Sequence, residues 1–235
     1  MGKKRTPLGT ELFIVLIAQL VEVAILGVVL LIGVSAMSKY GGIYSPAFSG
    51  IMYVTTFVVV GVVALIYLTY FNAFKKNDPQ RIRTLTIVLL VIMLIALVLS
   101  LLLLNVLKDP GFAKMYNIEN MNIDYSQLIV TGILGISVLG ITLYELNKHR
   151  AGNITASDKR LWLIVLAIEA YFFLTGLFGF GTGRSVNAVG AITTFINAAC
   201  QTLIAYWITN PEMFYVDENQ GVVPPAGSEN RFVNQ

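Results

Sequence analysis

Six apolar runs of about 20 residues or more can be drawn through this chain, at 11–37, 51–74, 82–107, 125–147, 161–180 and 187–209. A helix rises about 1.5 Å per residue, so each run is long enough to cross a hydrocarbon core of about 30 Å. Composition points the same way: 56% of the 235 residues are hydrophobic, 12% are charged and the mean hydropathy is +0.75. A soluble domain of that length needs about a quarter of its residues charged to keep its surface wet. The sequence therefore predicts an all-α, polytopic six-helix transmembrane bundle over 11–210, preceded by a short cytoplasmic N-terminus at 1–10. A largely disordered cytoplasmic tail at 211–235 follows it. The first run is too long for the apolar region of a signal peptide and is expected to stay as an anchor.

The net charge of +3 is explained by where the basic residues sit. Lys3, Lys4 and Arg5 precede the first run, Lys75, Lys76, Arg81 and Arg83 join the second to the third, and Lys148, Arg150, Lys159 and Arg160 join the fourth to the fifth. With Arg231 these are twelve of the sixteen Lys and Arg; Lys39, Lys108, Lys114 and Arg184 remain for the other side. The positive-inside rule places both termini in the cytoplasm of a multi-pass protein, in the plasma membrane if the source is prokaryotic. Orientation alone requires such clusters, so no nucleic-acid partner is predicted. Trp162, Trp207, Tyr67, Tyr70, Tyr144 and Tyr206 fall at the inner interface on this map, and Tyr40, Tyr44, Tyr53, Tyr116 and Tyr125 at the outer one.

Helix boundaries follow from turn chemistry. Asp78-Pro79 offers an N-cap side chain and a first-turn proline, Lys108-Asp109-Pro110-Gly111 a stop, and Asn210-Pro211 another. Gly176, Gly179, Gly181 and Gly183 read as an outer turn between the last two helices rather than as an ion filter, because 161–180 is needed for a full span. The halves share no polar pattern that would mark an inverted repeat.

One histidine, His149, and one cysteine, Cys200, are too few for haem, zinc, copper or thiolate-cluster chemistry, so no cofactor is expected. Neither an HExxH pair nor a histidine beside a nucleophile lies in any span, which argues against an enzyme. The Asn153-Ile-Thr155 sequon falls on the predicted cytoplasmic side.

What remains is a set of polar residues in apolar surroundings. Glu169 lies in Leu-Ala-Ile-Glu-Ala-Tyr-Phe-Phe, and an ionised carboxylate at a helix centre costs about 3 kcal/mol on an insertion scale. Counting from the inner boundary puts Glu169 about 14 Å deep, Glu22 about 16 Å, Gln201 about 12 Å and Asn197 about 18 Å. Gln19 and Glu22 share one face of the first helix; Asn197 and Gln201 share one face of the sixth. Gly190, Thr194, Ala198 and Thr202 form a small-residue ridge beside that second face. Helices one, five and six are therefore expected to meet around the two carboxyls, while Leu-rich 98–104 turns the third helix to lipid.

No Lys or Arg lies within a span, so Glu22 and Glu169 must be neutral or paired with something external. The plain structural account is protonated carboxyls acting as interhelical hydrogen-bond glue, at about 1 kcal/mol each. The functional account is a small transporter or channel-like protein with a site for a proton, cation or cationic solute made by Glu22, Glu169, Asn197, Gln201 and Gln19. Two alternatives stand beside it. One is an accessory subunit whose acids meet a partner membrane protein. The other is a sensor: Asn210-Pro-Glu-Met-Phe-Tyr215 resembles the segment after the last helix in some seven-helix sensor regions of membrane histidine kinases. That resemblance implies a receptor-like domain signalling to a cytoplasmic partner; it departs in having six spans and no kinase after them.

Overall fold

The computed structural model describes residues 3–40, 46–107, 125–152, 155, 158–178 and 188–217. Its helices are α1 (Pro7–Tyr40), α2 (Pro46–Lys75), α3 (Arg83–Leu107), α4 (Tyr125–Ala151), α5 (Trp162–Phe178) and α6 (Ala188–Thr209). All six are long and apolar enough to span a membrane, which makes the chain a multi-pass membrane protein. The stop at 108–111, the outer connection up to 124, the glycines beyond Phe178 and the tail after Asp217 lie outside the described residues.

The helices pack as three consecutive hairpins, α1–α2, α3–α4 and α5–α6, and α6 joins them by also touching α1 and α4. Polarity explains which helix sits inside. Lipid is as apolar as leucine, so leucine gains nothing by leaving it, whereas amides, hydroxyls and small residues gain contacts. Accordingly α3, the most apolar span, is the most exposed, and α6, the least apolar, is the most buried. Val98, Leu99 and Leu102 of α3 are exposed, as the leucine-rich run predicts.

Packing is concentrated toward one end. Leu12, Leu16, Gln19 and Val23 of α1 face Tyr67, Tyr70, Ala73 and Phe74 of α2 and Cys200, Ile204, Trp207 and Ile208 of α6. A smaller cluster of Val138, Val165, Ile168 and Ala205 joins α4, α5 and α6. Beyond the level of Val23, Tyr67, Val138, Glu169 and Cys200, Gly27 and Val34 are the only buried residues among those described.

That packed end is closed by the chain's two flanks. Strand β1 (Lys3–Arg5) pairs antiparallel with β2 (Tyr215–Asp217), aligning Lys3 with Asp217 and Arg5 with Tyr215. Thr6 caps α1: its Oγ1 accepts from the Gly9 amide at 3.1 Å and donates to the Met213 carbonyl at 2.6 Å, with Pro7 in the first helical turn. The Thr6 amide also donates to the Phe214 carbonyl at 3.0 Å. Only glycine fits at position 9, where a Cβ would collide with that same Phe214 oxygen. Phe214 and Tyr215 pack edge-on and tilted against Phe74, and the Tyr215 hydroxyl donates to the Phe74 carbonyl at 2.7 Å. The chain keeps regular structure up to Asp217, where the tail expected to be disordered begins: the 3-10 turn Pro211–Met213 and β2 are held by buried aromatics.

Two boundaries show how the sequence sets local geometry. At the end of α2 the Asp78 amide donates to the Ala73 carbonyl and the Asn77 amide to that of Phe74, with Asn77 at φ 46°. This is a Schellman closure with asparagine in the left-handed position. Asp78 does not cap the following 3-10 turn, Pro79–Ile82, as its sequence position suggested; its carboxylate instead takes the Arg81 guanidinium at 3.0 Å. The connections at this end are mutually tied, Gln80 donating to the Leu146 carbonyl at 2.7 Å, Trp207 to Asn77 at 3.1 Å and Lys159 to Glu212 at 2.9 Å. Eleven of the basic residues named above, Lys3 to Arg160, therefore gather at one end of the bundle with both flanking strands.

Candidate functional site

The polar residues of the spans lie where the packed half gives way to the open half. Gln19 is 2% exposed and its Nε2 has no hydrogen-bond partner among the described residues. One turn along α1, Glu22 is half-buried, with Oε2 buried and equally unpartnered. On α5, Glu169 is 4% exposed and makes no hydrogen bond among the described residues. On α6, Cys200 is fully buried, Gln201 is half-buried and Asn197 is exposed.

Among the described residues, α1 and α5 have no extensive contact of their own. Helix α6 stands between α1 and α5, and the closest packing of α5 is with α6, where Gly176 faces Thr194 of the small-residue ridge. What connects the two acids is a shared pair of neighbours. Tyr67 and Cys200 each lie within electrostatic reach of both Glu22 and Glu169. The Tyr67 hydroxyl donates to Asn197 Oδ1 at 2.9 Å, linking α2 to α6 across that level. Gln201 makes no hydrogen bond to any of them among the described residues. In sequence, Tyr67 and Tyr70 read as interfacial; both are buried, with ring centroids 6.3 Å apart, and belong to the interior. Trp207 is likewise buried, its indole N–H donating inward to Asn77.

The chain matches no protein-family model, no curated protein and no solved structure. Its chemistry is therefore argued from the site alone. Around Tyr67 and Cys200 stand two carboxyls, one free amide donor on Gln19 and the amide N–H groups of Asn197, with no cationic side chain among the described residues of that level. An unbalanced acidic set in a medium of low dielectric attracts a positive charge or keeps its protons.

A second buried acid escaped the sequence reading. Glu145 on α4 is 1% exposed, and neither of its carboxyl oxygens has a hydrogen-bond partner among the described residues. In Tyr-Glu-Leu-Asn-Lys-His-Arg it looks like one more charge of an inner interface; no pattern in the sequence marks it as buried. Its neighbour Asp158 is better served, accepting from the Thr155 amide at 3.0 Å, from the Thr155 and Tyr144 hydroxyls, and pairing with Lys148 at 3.8 Å. Glu145 and Asp158 both feel Lys148, but only Asp158 is paired with it. Outside the spans, burial works against the Glu212 carboxylate, yet its own backbone amide and Lys159 outweigh this and hold it below the usual glutamate range.

Proposed function

We propose that this membrane protein is a small transporter or channel-like protein whose mid-membrane carboxyls, Glu22 and Glu169, bind a proton, a cation or a cationic solute. The observation that carries the reading is the pair of acids on separate helices, both within electrostatic reach of Tyr67 and Cys200, with no basic residue to neutralise them among the described residues of that level. Three further features support it. The acids sit at the boundary between a packed half and a half with few buried side chains, a position suited to a site reached from one side. Asn197 accepts from Tyr67, so a neutral amide stands at the level of the acids. Beneath it, Tyr70, Phe74, Trp207 and Phe214 fill the other half. By the positive-inside rule the clasped, basic end faces the cytoplasm, so the open half faces out.

Proteoliposomes loaded with a pH-sensitive dye test the reading directly. Wild type should pass protons or monovalent cations at a rate that depends on pH, and Glu169→Gln should lower that rate at least tenfold. Flux that is absent in the wild type, or unchanged and pH-insensitive in the variant, would refute it. A sensor reading keeps one observation in its favour: Asn210–Tyr215, the stretch resembling sensor regions, is the part that binds α6 to the base of α1 and α2.

A further inference from the structure

Among the residues of the site, Gln19 departs from what a bare cation needs. A metal ion is satisfied by oxygen ligands, commonly six to eight for a large divalent ion. Here Asn197 Oδ1 already accepts from Tyr67, and among the described residues no group of three or more His, Cys, Asp or Glu is placed to hold a metal. Gln19 adds a buried Nε2 with no acceptor, on the same face of α1 as the unpartnered Glu22 Oε2. Buried amide donors in native proteins are nearly always satisfied, and leaving one dry costs about 1–3 kcal/mol. One spare donor and one spare acceptor, a turn apart on one helix, call for a guest that offers the reverse of each.

From this we infer that the site takes a small organic amine bearing both N–H donors and an oxygen acceptor, of the amino-alcohol or zwitterionic class, in preference to an inorganic cation. The ammonium meets the carboxyl of Glu22, and the oxygen meets Gln19 Nε2. The ring of Tyr67, whose hydroxyl holds Asn197, supplies an electron-rich face that favours an alkylammonium over a strongly hydrated ion. Asn197, whose Oδ1 accepts from the Tyr67 hydroxyl, offers its N–H groups as a second donor. This inference rests on the cation-site reading above and adds the chemical class to it.

The test is thermal unfolding of the purified protein in detergent with graded ethanolamine, tetramethylammonium or sodium chloride. Ethanolamine should raise the midpoint in a saturable way, tetramethylammonium and sodium should do so at least tenfold less potently, and Gln19→Met should weaken ethanolamine about tenfold. Methionine keeps the length and burial of glutamine, and a wild-type elution profile and unliganded midpoint would show that the variant folds. If Gln19→Met is misfolded, radiolabelled ethanolamine uptake by wild-type proteoliposomes, competed by glycine but not by sodium, decides the point. Sodium acting as well as ethanolamine, or ethanolamine acting equally on Gln19→Met, would overturn the amine assignment while leaving a cation site. No response to any of the three, together with pH-insensitive flux, would overturn both.

Discussion

At the scale of single residues, three glutamates in or near the spans illustrate different solutions to one cost. Glu22 and Glu169 share polar neighbours on two other helices, whereas Glu145 has both oxygens buried and unbonded. Replacing a buried acid that makes no hydrogen bond by an apolar side chain of similar size relieves a desolvation penalty of about 1–3 kcal/mol. Glu145→Leu is thus expected to leave the thermal midpoint unchanged or raise it, while Asp158→Ala, which abandons three hydrogen-bond donors, lowers it. A drop of several degrees in Glu145→Leu would show that the carboxyl has a partner after all. Glu169 was legible because its sequence surroundings are apolar on both sides. Tyr67 and Glu145 were not, because the distance of a residue from a span's end says how deep it lies and not which way it points.

At the scale of elements, the six helices were legible within a few residues because a span must be long and apolar, and lipid enforces both. Asn210-Pro211 ended α6 where expected, at Thr209. The two strands left no trace, since three residues each are too few to show alternation, and their stability comes from Phe214 and Tyr215 docking on α2 rather than from strand propensity. Burial raises the Tyr215 hydroxyl above the ordinary tyrosine value of 10.0, although Arg5 beside it pulls the other way. A group whose folded value is raised contributes stability that is complete below the unfolded value and lost as the pH climbs through the folded one. The protein should therefore lose thermal stability above about pH 10, and Tyr215→Phe should lose less of it over the same interval while being weaker at neutral pH, where it lacks the bond to Phe74. Parallel melting curves at pH 8 and above would check this; identical alkaline slopes for the two proteins would refute it.

At the scale of the whole molecule, membership of the bundle was readable and its arrangement was not. Polar and small residues did mark α6 as an interior helix, but nothing in the sequence showed that it separates α1 from α5, because hydropathy ranks helices without ordering them in space. The same end of the bundle collects both flanking strands, the 3-10 turns Pro79–Ile82, Asp158–Arg160 and Pro211–Met213, and eleven basic residues. We propose, on the positive-inside rule, that this end faces the cytoplasm. In a Cys200→Ala background, Arg81→Cys should resist a membrane-impermeant maleimide in intact cells and react once they are opened, while Lys114→Cys should react in both; the reverse pattern would invert the topology.

The buried thiol at the centre of the bundle has a use of its own. Cys200 is the chain's sole sulfhydryl and is wholly shielded in the folded state. Alkylation of the unmodified polypeptide therefore acts as a single-site stopwatch: a small reagent records each excursion that lets solvent into the middle of the bundle, with no engineered label and no background from a second position.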